Sequence, residues 1–172
     1  MTMTLARAIA FAGILLFAGS AAAQPANLGC TSTQTAQGTQ TLHCETAITI
    51  VAEGGAKFEL RDRNRDGQVD SVELSSKALL LEVPKKSGRS RFEVVTPQAI
   101  AAVRGTKWAV DAESGKTSVF VVNGRVSVAR SAGRGSVVLG PGEGVDVETS
   151  GDLTVKRWGA ARVAALMARL GQ

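Results

Sequence analysis

"RFEVVTPQAIAAVRGTKWAVDAESGKTSVFVVNGRVSVA", residues 91–129, decides the fold class of this 172-residue chain. Its apolar residues fall in short runs, "RFEVV", "KWAVDA" and "TSVFVVNGRVSVA", separated by Thr96-Pro97, Gly105 and Asn123-Gly124. Short runs of alternating apolar character read as strands, and Gly, Asn and Pro between them read as turns. Asn123-Gly124 predicts a two-residue hairpin between strands at 118–122 and 125–129, because both turn positions need positive φ. Pro97 has no N–H and pushes Thr96 into extended geometry, so the strand turns a corner there. Gly105 adopts conformations closed to other residues, which aims Arg104 and Thr106 by a bend or bulge.

The same rhythm continues outward in both directions. "SVVLG" and "GVDVE" follow, with "GPGEG" (140–144) as a tight turn, while "TAITIVAE", "KFEL" and "ALLLEV" come before, the last followed by the charged turn "PKKSGRS" (84–90). Strands spaced this closely predict a mainly-β domain, a compact antiparallel β-roll or sandwich. The tail changes period. Val163, Leu166, Met167 and Leu170 recur at helical spacing, with Arg162 and Arg169 on another face, which predicts a short C-terminal α-helix at 160–170. Two readings stand: a helix that covers the core, which amphipathic stripes usually do, or one that docks a partner.

"MTMTLARAIAFAGILLFAGSAAAQPA" has one basic residue, an apolar run and the small residues Ala21-Ala22-Ala23. That layout predicts a secretory signal peptide over 1–23 and a single domain over 24–172, periplasmic or secreted, with no transmembrane segment after cleavage. Without Arg7 the chain carries nineteen Lys/Arg against fifteen Asp/Glu. These charges are scattered, without the basic block or interleaved aromatics of a nucleic-acid groove, so no nucleic-acid partner is expected. Export sets Cys30 and Cys44 in an oxidising compartment, where a pair reads as a disulfide. Closing a loop of about 15 residues contributes about 3 kcal/mol in the chain-entropy model. His43 is the chain's one histidine, too few for a Cys/His metal site.

"DRNRDGQVDSVE", residues 62–73, has the spacing of a twelve-residue calcium loop. Its ligands would be Asp62, Asn64, Asp66, the Gln68 carbonyl, Asp70 and Glu73, with Gly67 at the sharp turn and Val69 at the apolar eighth position. The flanks read as strands rather than helices, Gly54-Gly55 disfavours an incoming helix, and Arg63 and Arg65 dilute the negative charge. Two readings follow: a weak calcium site of about 10⁻⁴ to 10⁻³ M grafted between strands, or a solvated turn whose Asp and Asn side chains bond their own backbone.

At "FEVVTPQAIAAVRGTKWAVDAESGKTSVFVVNGRVSV" the chain resembles the FecR domain family. The residues that carry the resemblance are Thr96-Pro97, Val103-Arg104-Gly105-Thr106 and Trp108. Thr117, Val119, Val121, Gly124, Val126 and Val128 follow, and "VVLGPGEGVDV" resembles the family's closing segment. The resemblance covers 45–148 and is most specific at 90–148. It implies an antiparallel β module for binding or sensing, with a protein partner in the cell envelope. Well-known members couple a periplasmic FecR domain through one transmembrane helix to control of a sigma factor, but the single apolar segment here is the leader, so direct sigma-factor control is not expected. For Arg104 two roles stand, a cation that contacts a ligand or a fork that bonds nearby carbonyls or a carboxylate, and the second is favoured beside a glycine bend.

An enzyme is not expected: one histidine, no G-x-S-x-G elbow and no phosphate-cradling glycine loop leave little to build chemistry on. The remaining functions are a non-catalytic binding or sensing module with a protein partner, or a structural or polysaccharide-binding envelope protein.

Overall fold

The computed structural model describes residues 28–85 and 91–172. The expected leader at 1–23 and most of the expected turn at 84–90 lie outside the described residues. β1 (Cys30–Gln34) and β2 (Gln40–Cys44) form an N-terminal hairpin in which Cys30 stands opposite Cys44, and a disulfide joins the two. β3 (Thr49–Ala52) pairs antiparallel with β2. Gly55, at φ 75°, then turns the chain into β4 (Lys57–Arg61).

β5 (Ser71–Val83) organises the rest. Its first half pairs with β4 and with β6 (Phe92–Val95); its second half pairs with β3 and with β8 (Thr106–Glu113). A register shift opposite Lys57/Phe58 and a left-handed Lys77, φ 66°, mark the bend between the halves. Lys77 is not glycine, so the bend has a conformational cost, and its Nζ donates to the Gly54 carbonyl across the corner.

The sheet therefore curls on itself into two packed parts. Sheet I runs β1-β2-β3-β5-β8-β9-β12-β13, where β9 is Lys116–Asn123, β12 is Glu143–Glu148 and β13 is Lys156–Arg157. Sheet II runs β4-β5-β6-β7-β10-β11, where β7 is Ala99–Val103, β10 is Val126–Arg130 and β11 is Ser136–Leu139. The expected β-roll or sandwich is what forms, with one departure: β5 and β6 pair in parallel, because the chain leaves sheet I after Val83 and re-enters sheet II beside the start of β5.

Between the two parts lies the main core, with Ile50, Leu79, Leu81, Trp108, Val110 and Val119 from sheet I and Val72, Leu74, Val94, Val103, Val126 and Leu139 from sheet II. Ala78–Leu81 are buried without interruption. That run is covered on both faces, by the core on one side and by α1 (Ala160–Arg169) on the other. Leu166 and Leu170 are buried against Ala78, Leu80, Ala109 and Phe120, with Val163 and Met167 beside them. Alanines at 78 and 109 leave the room a helix needs to approach a sheet, and burying two leucines contributes about 3–6 kcal/mol before entropy. The helix thus packs on the outer face of sheet I.

The Asn123-Gly124 hairpin does not form. β9 pairs with β8 and β12, and β10 pairs with β7 and β11, so this bend carries the chain from sheet I to sheet II. Positive φ at Gly124, 92°, is the feature the sequence signalled, but it serves a crossover. The tight two-residue hairpin falls instead at Ser114-Gly115, where Glu113 opposite Lys116 closes the β8–β9 ladder. "GPGEG" is likewise a crossover, from β11 in sheet II to β12 in sheet I.

Candidate functional site

Residues 62–70 form the loop of the β4–β5 hairpin and 71–73 open β5, so the segment hangs between strands as its flanks suggest. Asp62 accepts hydrogen bonds from the Asp66 and Gly67 amides at 3.1 and 2.8 Å, and Asp66 accepts one from the Gln68 amide at 3.0 Å. Asn64 accepts from the Asp66 amide at 3.1 Å, and Asp70 accepts from the Arg63 and Asn64 amides, each at 3.1 Å. These are Asx-type bonds, in which short polar side chains satisfy amides that no ladder partner reaches. Gly67, at φ 84°, takes the sharp turn, and Val69 is buried in the core and anchors the loop.

The twelfth position behaves differently. Glu73 lies within β5, opposite Glu59, and Arg61 bridges the two at 2.8 and 2.6 Å. The hydrogen bond from Arg61 holds the Glu73 carboxyl below its ordinary value. In this conformation Asp62, Asn64, Asp66, Gln68 and Asp70 share one loop while Glu73 is engaged outside it. No group of three carboxylate, Cys or His side chains poised for a metal is formed among the described residues. For a six-ligand cage to close, the Glu73 carboxylate would have to leave Arg61.

Arg63 ties the loop to its neighbour, reaching Glu93 on β6 at 2.8 Å, while the Glu93 amide donates to the Asp70 carbonyl. Beyond β6 the family-type residues build corners. Thr96 is buried, exchanges hydrogen bonds with Ala99 and meets Thr117 Oγ1 at 2.7 Å, so Thr96-Pro97 forms the β6–β7 turn and fastens it to sheet I. Val103 ends β7 in the core; Arg104-Gly105, with Gly105 at φ 69°, is the crossover to β8. The Thr106 hydroxyl, buried, donates to the Arg125 carbonyl at 3.0 Å and so locks this crossover to the one at Gly124. A Cβ on Gly124 would sit 2.7 Å from Thr106 Oγ1 and 2.8 Å from the Gly105 carbonyl, which leaves room for glycine alone. Trp108 is fully buried, its indole N–H unpartnered among the described residues.

The favoured role of Arg104 is not what forms. Its side chain is exposed and makes no hydrogen bond or ion pair among the described residues, so the bend is held by Thr106 and the glycines instead.

The outer face of sheet I holds a second polar constellation. Arg169 bonds Asp111 and Glu53, and Arg162 bonds Asp146, whose other partner is Ser118 at 2.6 Å. Burial pushes Asp146 up, but the bonds from Arg162 and Ser118 outweigh it and leave the carboxyl below its ordinary value. Trp158 stacks on Phe120 with ring centroids 5.1 Å apart, and the Arg162 guanidinium sits 3.5 Å above the Trp158 ring. A recess of about 310 Å³ lies here, but its charges are mutually paired, Lys116 with Glu113 included. The arrangement clamps the helix. Sequence reading missed it, since pairs such as Arg169 with Asp111 and Glu53 lie far apart in the chain and leave no local pattern.

Comparison with known proteins agrees with this architecture. No curated protein matches the chain. Among solved structures, two crystal structures of a candidate anti-sigma factor from Parabacteroides distasonis, at 2.50 and 1.65 Å, are similar, with TM-scores of 0.63 and 0.61 and 22% and 21% identity. In each, the match covers 80% of this chain and 64% of the other, so the chain spans somewhat under two thirds of those proteins. At such identity the likeness is one of fold. A model of the FecR protein family matches residues 36–127, which runs from the N-terminal hairpin through the Arg104 and Gly124 crossovers into β10 and takes in more than half of the chain. The chain belongs to the FecR protein family.

Proposed function

We propose that this chain is an exported, non-catalytic binding and sensing module that engages a protein of the cell envelope. The observation that carries the reading is the family match over 36–127, which spans both crossover corners. The description of the Parabacteroides neighbours as a candidate anti-sigma factor agrees with a regulatory role through protein contact. The leader-like residues 1–23 support delivery to the periplasm or beyond. The test is affinity capture of the tagged mature chain after crosslinking in intact envelopes. A discrete protein retained by the chain supports the reading; retention on polysaccharide alone supports the structural or glycan-binding alternative and overturns it.

A separate reading concerns calcium at 62–73. Four oxygen-bearing side chains, Asp62, Asn64, Asp66 and Asp70, already lie in one loop, and calcium there would stiffen a surface turn. Calorimetric titration with millimolar calcium, for the mature chain and its Asp62→Ala variant, decides it: heat that disappears in the variant supports the site, and no heat in either ends the idea.

A further inference from the structure

Three arginines stand in a row at one end of sheet II. The last register pairs there are Phe92 with Val103 and Val103 with Val126. One residue beyond those pairs come Arg91, Arg104 and Arg125, on neighbouring strand ends. Adjacent strands lie about 4.8 Å apart, so three cationic side chains leave the backbone within roughly 10 Å. All three are exposed, and none makes a side-chain hydrogen bond or ion pair among the described residues. Exposed Lys85 packs against Gly105 beside them. Two nearby carboxylates are already engaged, Glu93 by Arg63 and Glu82 by Lys107 at 3.5 Å.

Like charges at this spacing repel one another even in water. The repulsion is offset by nothing within the described fold, and the backbone is fixed by Thr106 and by glycines that admit no side chain. A rigid row of guanidinium forks matches carboxylates, with which arginine bonds in bidentate fashion. We infer that Arg91, Arg104 and Arg125 form the docking surface for an acidic segment of a protein partner. The inference rests on the protein-binding reading above and names the chemistry of its contact.

Magnitude separates this partner from an anionic bilayer. A membrane surface attracts each cation only weakly, so three or four cations give about millimolar attachment at best. Among the described residues no aromatic side chain is exposed for insertion; the exposed large apolar residues are Val122, Val138 and Val155. Paired carboxylates on a protein add directed, charge-assisted hydrogen bonds to the same charges.

The test measures binding of labelled poly-L-glutamate to the mature chain and, separately, to vesicles of phosphatidylglycerol and phosphatidylcholine in equal parts. The variants are Arg104→Glu/Arg125→Glu, the neutral Arg104→Gln/Arg125→Gln, and Arg134→Glu, in the loop that follows β10 at its other end, as a control whose charge change equals that of the neutral double variant. Melting curves verify folding, and exposed arginines without partners should leave them unchanged. The expected result is poly-glutamate affinity reduced at least about tenfold by both double variants, a loss of about 1.4 kcal/mol, with Arg134→Glu close to wild type. Equal weakening by Arg134→Glu, or binding to vesicles without binding to poly-glutamate, overturns the inference. Envelope-protein capture that survives Arg104→Glu/Arg125→Glu removes the row but leaves the proposed function standing; absence of capture by the wild-type chain removes both.

Discussion

Arg169 reaches from α1 to make two hydrogen bonds with Asp111 on β8, at 2.6 and 3.0 Å, and a third with Glu53 at 2.6 Å. Asp111 is 9% exposed at its side chain while Arg169 is 38% exposed, so the pair seals the edge of the helix–sheet contact. Arg169→Ala would leave a nearly buried carboxylate without its cation. Loss of a buried partner costs about 3–5 kcal/mol, and solvent at Arg169 reduces that to about 2 kcal/mol. Urea unfolding should show this loss, and hydrogen exchange should show α1 amides opening first. Unchanged stability in both would remove the clamp from the account.

The Arg162–Asp146 pair makes a prediction about acid. The Asp146 carboxyl is held below its ordinary value in the folded chain, so its contribution is complete above the unfolded value, about 3.9, and disappears as pH falls through the folded one. Arg162→Leu should therefore cost about 0.5–1 kcal/mol at neutral pH, in line with a partly exposed pair. The gap from wild type should narrow progressively below about pH 4. A gap independent of pH would mean that Arg162 acts through its stacking on Trp158 alone.

Two glycines in left-handed geometry should respond differently to alanine. Gly115, φ 77°, has open space where a Cβ would go, so Gly115→Ala should cost only the conformational term, about 1–2 kcal/mol. Gly124, φ 92°, faces Thr106 Oγ1 and the Gly105 carbonyl, so Gly124→Ala should add steric strain of about 1–3 kcal/mol. Equal losses in thermal unfolding would show that the two crossovers are not packed together.

The N-terminal hairpin is stapled where Cys30 and Cys44 face each other. The double variant Cys30→Ala/Cys44→Ala should lose about 3 kcal/mol, the chain-entropy value for a loop of about 15 residues. If residues 1–23 are a cleaved leader, the wild-type chain recovered from cells should begin at Gln24, and its intact mass should rise by two hydrogens on reduction. A mass that retains residues 1–23 would contradict the leader reading.

Strand identity was legible where apolar alternation and turn residues coincide, as in "RFEVV" and "GVDVE", and the helix was legible from Val163, Leu166, Met167 and Leu170. Strand partnership was not. Asn123-Gly124 reports a need for positive φ, and that need is the same in a hairpin and in a crossover. Which one forms is decided by β7 and β12, far away in sequence, whose edges take β10 and β9. Ala99–Val103 was hidden for a related reason: small alternating alanines fit a tightly covered strand but carry little hydrophobic signal. At the candidate site, Arg104 stood out through its motif, whereas Arg91 and Arg125 join it only through pairing register. The loop at 62–73 showed its spacing in sequence, but the capture of Glu73 by Arg61 depends on their meeting across the β4–β5 ladder.

Photo-crosslinking in living cells tests protein docking at the arginine row most directly, with the reactive group placed at Asn123, exposed beside Arg125, and at Ser150, exposed at the far end of sheet I. A discrete protein adduct is expected from position 123 and none from position 150. Adducts of equal yield from both positions, or none with protein from either, would contradict docking at the row.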